Sequence, residues 1–247
     1  WGSNALEADV ELLSVLVNFF EGVGLTADDL VIKISSRKVL EEVLGSLGIS
    51  GDAFAATCII VDKMDKLSED VVAAQLAEQG LGADAVTTIQ STLGVDDLDS
   101  LSAALGDDSA AVSELAGLFD LIDSYGIADW VAFDASVVRG LAYYTGPVFE
   151  AHDRAGQLRA ICGGGRYDRL LSSLGGKDMP ATGFGFGDMV IMELLMDKGL
   201  VPDLPSGNED IVIAISEDLR SAAMSVASSL RASGRSVDLV LEDKRMK

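Results

Sequence analysis

Apolar residues recur every third or fourth position over residues 6–20, which predicts an amphipathic helix at the start of the chain. The preceding sequence Asn4-Ala-Leu-Glu7 resembles a capping box, and Gly22 and Gly24 are expected to end the helix. Residues 30–34 then alternate in the manner of a strand. Ser35 and Ser36 could cap a following helix over residues 38–47.

Residues 48–126 have short apolar-periodic stretches separated by glycines, and this pattern predicts helices almost throughout. The flanking segments mix strand and helix patterns. A helical block between such flanks indicates an inserted domain.

The segment over residues 136–171 is the most informative part of the sequence. Residues 137–138, 147–150 and 158–162 are expected to form three short strands joined by tight turns, in an antiparallel sheet. On such a sheet Arg139, Tyr143 and Tyr144 could project into one pocket. Arginine offers a planar fork for a carboxylate or phosphate, and tyrosine offers a flat wall with a polar tip. A surface arginine with core tyrosines is the alternative interpretation.

Beyond this segment, residues 188–198 are predicted to form a helix that buries Val190, Ile191, Leu194 and Leu195. A linker rich in proline and glycine follows. A strand over 211–215, a helix over 218–233 and a strand over 237–241 then predict a parallel strand pair with a right-handed crossover.

Charge and cysteine content narrow the classes of protein. Eighteen basic residues against 40 acidic residues count against broad affinity for nucleic-acid phosphates but do not exclude tRNA, because the basic end of the chain could be a local contact strip as well as a solvated tail. Cys58 and Cys162 are too few for a disulfide framework or a four-cysteine zinc site, which indicates a reducing compartment. No apolar run is long enough for a membrane span.

Two sequence motifs carry a family resemblance: RGLAYYTGPVFE, which begins at Arg139, and ICGGGRYDRLL, which ends at Leu171. They resemble the histidine-binding segments of histidyl-tRNA synthetase, a class II aminoacyl-tRNA synthetase. GLAYYTG is similar to the plant-organelle and protist branch of that family. ELLSVLVNFFEGVGL and VIKISSRKVL resemble the segment after its second motif, and ATGFGFGDMVIMELL resembles its third motif.

The resemblance implies an α+β fold: a class II antiparallel sheet with helices, an all-helical insertion and the start of an α/β anticodon-binding domain. The expected divisions are a catalytic domain in two parts, 1–48 and 128–201, an insertion over 49–127, a linker over 202–209 and a truncated anticodon-binding domain over 210–247. The first two class II motifs are absent. We therefore expect a piece of a longer protein that is a poor catalyst alone.

By the same resemblance, Arg139 is the catalytic arginine, touching both the histidine carboxylate and the α-phosphate of ATP. The histidine-binding set also includes Tyr143 and Tyr144, which would line the pocket. The set is completed by a glycine floor and a neighbouring tyrosine: Gly163, Gly164 and Tyr167. Gly165 belongs to the same glycine run.

The glycine series Gly183, Gly185 and Gly187 is a weak dinucleotide signal alone, because no apolar strand precedes it. The resemblance assigns it to ATP binding in the third motif, where Arg139 also contributes. Most members of the class have an arginine just after these glycines, whereas this chain has Asp188-Met189-Val190. Mg²⁺ is expected to arrive with ATP, and no metal-binding residues are identifiable.

Three further residues leave alternatives open. Arg166 could pair with Asp168 or cap backbone as well as contact substrate, and Glu150 could be solvated, paired or functional. The lone histidine, His152, is expected in a surface loop and not as a metal ligand or a hydrolase base.

The leading hypothesis is therefore an ATP-dependent histidine–tRNA ligase, acting as a homodimer on L-histidine, ATP and tRNA(His). The expected location is the cytoplasm, with mitochondrion and plastid as alternatives, and no membrane contact is expected. A synthetase-like regulatory or binding protein without aminoacylation activity is the alternative.

Overall fold

The computed structural model describes residues 2–61, 64, 67–138, 143–203 and 207–241, apart from the side chains of residues 52 and 69. The chain divides into two compact units, Trp1–Val201 and Pro202–Lys247. The first unit contains a five-stranded sheet and the second a two-stranded sheet. Within the described residues, no helix combines the length and apolarity needed to cross a membrane.

The first unit begins with a helix, a strand and a second helix. These are α1 (Glu7–Gly22), β1 (Leu30–Ser36) and α2 (Arg37–Ser46). Five helices follow: α3 (Gly51–Val61), α4 (Glu69–Glu78), α5 (Ala83–Leu93), α6 (Leu98–Leu105) and α7 (Ala110–Ser124). The helical prediction for residues 48–126 is confirmed by these five helices.

In the rest of the unit, the described residues form four strands and two α-helices. They are β2 (Val131–Phe133), β3 (Pro147–Asp153), β4 (Cys162–Arg166), α8 (Leu170–Ser173), β5 (Thr182–Phe186) and α9 (Asp188–Asp197). The strand order is β2-β1-β3-β4-β5. The β1–β2 pair is parallel and the other three pairs are antiparallel, so the predicted antiparallel sheet is confirmed with one parallel edge strand added.

The helix caps match the sequence predictions only in part. Ser36 caps α2 as predicted, because its Oγ accepts a hydrogen bond from the Lys38 N–H. The predicted capping box before α1 is wrong, because Leu6 occupies the N-cap position and no side chain caps the helix. The helix ends at Gly22, and Gly24 follows in the left-handed region with φ of 87°.

Two of the predicted strands are wrong in position. Val137 and Val138 lie outside any strand, and the Val137 N–H donates to the Asp134 carbonyl in a turn. The predicted strand over 158–162 instead begins at Cys162 and runs through the glycines to Arg166. Gln157 and Leu158 donate their backbone N–H groups to the Asp153 carboxylate, so a turn occupies the position where the strand was predicted to begin.

The sheet has two different faces because side chains alternate along each strand. One face carries Leu30, Ile32, Ile34 and Phe149 into the main core, where they join apolar residues of α1 and of the helices α3 to α7. The other face carries Val148, which packs in a smaller cluster with Val137 and Tyr144.

The helical segment and the sheet therefore share one buried core. Glu42 of α2 also joins them, since its carboxylate accepts hydrogen bonds from the Ser109 hydroxyl and the Ala111 N–H at the start of α7. The division into catalytic, insertion and anticodon-binding domains stays a prediction.

Helix α9 matches its prediction closely: Ile191, Leu194 and Leu195 are buried and Val190 is half-buried. In the second unit, β6 (Asp210–Ile213) and β7 (Val237–Val240) form the predicted parallel pair, joined through α10 (Arg220–Ala232). The helix begins at Arg220 and not at residue 218, because Glu217–Leu219 forms a 3-10 turn.

Candidate active site

A pocket of about 250 Å³ lies on the sheet face opposite the main core. It brings together three of the tyrosines and two of the glycines singled out in the sequence. Its described lining consists of Tyr143, Tyr144, Tyr167, Leu170, Gly183, Phe184 and Gly185. Residues that are up to 42 positions apart in sequence thus meet at the ends of β4 and β5.

The three tyrosines form one aromatic cluster. The rings of Tyr143 and Tyr144 lie 4.7 Å apart between centroids, and Tyr167 meets Tyr143 edge-on at 5.8 Å. Tyr144 is buried against Val148 of β3, whereas Tyr143 is only half-buried. Tyr144 is thus held by packing against the sheet, whereas Tyr143 is more exposed.

The glycines allow close approach between strands, for reasons that the structure makes specific. A methyl group at Gly164 would collide with the Gly183 carbonyl and lie 2.7 Å from the Phe184 Cα on β5. A methyl group at Gly165 would lie 2.5 Å from the Pro147 carbonyl oxygen on β3. Glycine at these positions therefore lets β3, β4 and β5 pair side by side.

Gly183 has a different neighbour, since a methyl group there would collide with the Tyr167 hydroxyl. The hydroxyl end of Tyr167 therefore packs against β5 at Gly183, and both residues line the pocket. Gly185 has open space where a side chain would be. The absence of a side chain at Gly183 thus allows Tyr167 to pack on β5, and its absence at Gly185 leaves open space.

Three other predicted site residues do not line this pocket at the described positions: Gly163, Gly164 and Gly187. Gly163 and Gly164 are not among its described lining residues and lie within β4. Gly187 precedes α9, beside the Ile161 carbonyl and Val190. Arg139 lies outside the described residues. The assignment of all these residues to histidine or ATP stays a prediction.

Arg166 is a buried structural residue, one of the alternatives that the sequence left open. Its side chain is 5% exposed and pairs with the Asp9 carboxylate at 2.6 Å and with Asp168 at 3.3 Å. It also donates to the carbonyls of Ser3 and Ala5. The Asp168 pair and the backbone contacts are thus both among the alternatives that the sequence left open.

Sequence reasoning missed Asp9, the strongest partner of Arg166. Burial raises the pKa of this carboxyl group, although the hydrogen bonds and charge of Arg166 act to lower it. An acidic residue within the otherwise apolar face of a helix was the one available signal, since such residues are rarely buried without a partner.

His152 differs from its predicted setting, whereas Glu150 matches one of its alternatives. His152 lies within β3 and not in a surface loop, and its Nε2 is 3.0 Å from the Glu150 Oε2. Side chains two residues apart on a strand share a face, which explains the pairing. Glu150 is therefore paired, as one of its alternatives held.

Among the described residues, no group of three or more histidine, cysteine or acidic side chains is arranged to hold a metal ion. The candidate site is thus a pocket of aromatic rings and backbone at the described positions. Such a pocket suits a small planar ligand with a polar edge.

Comparison with known proteins identifies the fold. A solved histidyl-tRNA synthetase from Nostoc sp. PCC 7120 matches with a TM-score of 0.70 and 28% identity, over 99% of this chain and 59% of that chain. The sheet and its helices have the fold of a class II aminoacyl-tRNA synthetase. The family model for histidyl-tRNA synthetase matches residues 1–188, and the chain belongs to that family.

Two relatives show the range of similarity. The chain is 50% identical over 246 residues to the chloroplastic/mitochondrial histidine–tRNA ligase of Arabidopsis thaliana, covering all of this chain and 51% of that protein. It is 35% identical over 250 residues to the histidine–tRNA ligase of Opitutus terrae, covering 96% of this chain and 56% of the relative. The chain thus spans about half the length of these curated relatives.

Proposed function

We propose that the protein is a histidine–tRNA ligase, which activates L-histidine with ATP to histidyl-adenylate and pyrophosphate, and then transfers the histidyl group to tRNA(His) with release of AMP. The observation that carries this proposal is the tyrosine pocket, combined with membership of the histidyl-tRNA synthetase family. Its volume is below the roughly 300–1,000 Å³ of pockets for drug-sized ligands, so an amino-acid side chain is a suitable occupant.

In the proposed reaction, a histidine carboxylate oxygen attacks the α-phosphorus of ATP. The new C–O–P linkage forms as the bond to the β-phosphate breaks, and pyrophosphate leaves. Such reactions depend on positioning and on neutralising charge at the phosphoryl oxygens. We assign the charge to Arg139, and positioning of the imidazole to Tyr143, Tyr144 and Tyr167.

ATP is proposed to lie along β5, where Gly183 and Gly185 carry no side chains and Gly185 has open space beside it. Gly187 would extend this path, and Gly163 and Gly164 would keep the neighbouring strand flat. Mg²⁺ would accompany ATP, and the described residues offer no ligand set of their own for it. No step is therefore assigned to the metal.

We further propose that the complete enzyme is a homodimer in a plastid or mitochondrion. The organellar name of the Arabidopsis relative supports this location over the cytoplasm. Parts of the enzyme outside these 247 residues would supply its remaining motifs, so these residues alone are expected to be a poor catalyst.

Isothermal titration calorimetry on the full-length protein tests amino-acid choice. L-histidine should bind more tightly than L-phenylalanine, because phenylalanine lacks the ring nitrogens with which the tyrosine hydroxyls are proposed to hydrogen-bond. Tyr144→Phe should reduce this preference. Tyr125→Phe is the matched control, since Tyr125 hydrogen-bonds Glu11 outside the pocket. Equal affinity of the wild type for both amino acids would contradict the proposed specificity.

Catalysis is tested by ATP–pyrophosphate exchange in the same protein. Arg139→Ala should lower the rate about a hundredfold or more, the usual cost of removing one preorganised charge donor. A wild type that binds histidine but shows no exchange would favour the regulatory alternative. A solved structure whose title names an ATP phosphoribosyltransferase regulatory subunit/histidyl-tRNA synthetase shares this fold at 23% identity, so the fold alone does not decide between the two.

A further inference from the structure

The first turn of α1 contains a buried acid that pairs with an arginine far away in sequence. Asp9 is 4% exposed, and its Oδ2 accepts hydrogen bonds from both Nε and Nη2 of Arg166, at 3.0 and 2.6 Å. Arg166 is equally buried, at 4%. Two charges removed from water in this way hold each other in a defined geometry, because neither can be left alone without a large cost.

The guanidinium group also fixes the segment before α1. Its Nη1 donates to the Ser3 carbonyl at 2.9 Å, and its Nη2 donates to the Ala5 carbonyl at 3.1 Å. With Asp9, these contacts attach the start of α1 to the end of β4. The end of β4 is where the chain enters the tyrosine pocket.

The backbone beside Arg166 positions the pocket residues on both sides. The Arg166 carbonyl accepts from the Thr145 N–H at 2.8 Å, directly after Tyr143 and Tyr144. The next residue, Tyr167, donates its N–H to the Ala181 carbonyl at 2.8 Å. The backbone of Arg166 is therefore hydrogen-bonded to the segment that follows Tyr143 and Tyr144, and it directly precedes Tyr167.

Asp168 completes the arrangement. Its N–H donates to the Thr145 hydroxyl at 3.1 Å, and its Oδ1 accepts from the Ala181 N–H at 3.0 Å and from the Arg166 Nη1 at 3.3 Å. The guanidinium group of Arg166 thus contacts α1, and its backbone and its partner Asp168 contact the segments that bear the pocket residues. These segments lie around residues 143–145, 167–170 and 181–185.

We propose that Asp9 is a positioning residue for the amino-acid pocket, acting through Arg166 on Tyr167 and on the loop that carries Tyr144. The proposal deepens the proposed function and rests on it for the identity of the ligand. The Tyr167 hydroxyl packs so closely on Gly183 that a methyl group there would collide with it, so we expect a shift of Arg166 to displace the Tyr167 ring or the Thr145 loop. A small displacement of a recognition wall weakens ligand binding strongly.

The test uses Asp9→Asn in the full-length protein, with histidine and ATP affinities measured separately by calorimetry. Asparagine keeps the size of the side chain but removes the charge that fixes the guanidinium. The dissociation constant for histidine should rise about tenfold, while that for ATP should change less than twofold. The tyrosine bands in near-ultraviolet circular dichroism, recorded without ligand, should also change.

Asp29→Asn is the matched control, because it removes one carboxylate charge and the 2.6 Å ion pair with Lys198 away from the pocket. It should leave histidine affinity and the tyrosine bands unchanged. A folded Asp9→Asn protein with wild-type histidine affinity would overturn the proposal. Equal losses in the Asp9 and Asp29 variants would overturn it as well.

If Asp9→Asn does not fold, the double variant Asp9→Leu/Arg166→Met replaces the buried pair with apolar side chains of similar size, a change that folds tolerate well. Normal histidine affinity in that protein would overturn the proposal. If the wild type binds no histidine, the proposed function fails. The positioning role is then decided by the tyrosine bands, which must differ between the wild type and Asp9→Asn.

Discussion

Glycine is required for different physical reasons in the helical segment α3 to α7 and in the strands β4 and β5. Gly80, between two helices, has φ of 86° and open space around it, so only its backbone conformation requires glycine. Gly164 lies within a strand and is surrounded, so the neighbouring strand requires glycine there. In the first region a local rule explains the residue, and in the second only a contact distant in sequence does.

The two regions also differ in their electrostatics. Lys63 and Lys66 are the only basic residues in 48–126, where acidic residues occur throughout. The sheet region instead holds paired charges, among them Lys33 with Asp134 at 2.7 Å and Arg166 with Asp9. Self-repulsion therefore concentrates in the helices, whereas charge pairs organise the sheet.

The largest expected effect comes from a substitution at the strand contact. Gly164→Ala should destabilise the protein by about 3 kcal/mol or more, because its methyl group would meet backbone atoms that cannot move aside. Gly185→Ala is the control, since it has open space, and should change the melting temperature little. Equal melting temperatures for the two variants would refute this account of the glycine strands.

The next effect concerns a buried thiol in the helical segment. Burial raises the pKa of the Cys58 thiol to about 11 from 9.0, although the neighbouring Arg37 acts to lower it. The pKa of this thiol is higher in the folded protein than in the unfolded chain. The free energy of unfolding is therefore fully retained below pH 9 and decreases as the pH rises toward 11. The loss should be on the order of 2 kcal/mol.

Urea unfolding between pH 8 and 11 measures this loss, with Cys58→Ala as the reference for all other titrating groups. The curve of the wild type should fall more steeply than that of the variant. Parallel curves would show that Cys58 titrates in the folded protein as it does in the unfolded chain.

A smaller effect is expected at Gly80, the counterpart of Gly164 in the comparison. Gly80→Ala should cost about 1 kcal/mol, because a side chain is disfavoured at positive φ even where space is free. Chemical denaturation at neutral pH would measure it. A cost as large as that of Gly164→Ala would remove the distinction between the two kinds of glycine.

The smallest effect follows from net charge. With a formal net charge of −22, the folded chain should gain a few degrees of melting temperature as sodium chloride rises from low to moderate concentration. An uncharged osmolyte at matched osmolality is the control. A melting temperature that falls with salt would indicate that the ion pairs of the sheet outweigh repulsion within the helices.

The predictability of the structure follows the same division. The helical segment, α2 with its Ser36 cap, α9 and the parallel pair of the second unit could all be predicted, because their patterns are local. The tyrosine pair and the glycine run were found by their motifs. The strand at Cys162–Arg166 was misplaced, because glycines carry no strand preference of their own.

The sequence by itself determined the family, the helices and the set of aromatic and glycine residues available for a site. Tertiary structure alone decided that Tyr167 lies on Gly183, that His152 pairs with Glu150, and that Asp9 holds Arg166. The contacts of Tyr167 and Asp9 join residues that are distant in sequence. The contact of His152 with Glu150 depends on the extent of β3, which the local pattern ended too early. The local sequence pattern determines the helix or strand face on which a side chain lies, whereas the tertiary structure determines which residues that side chain contacts.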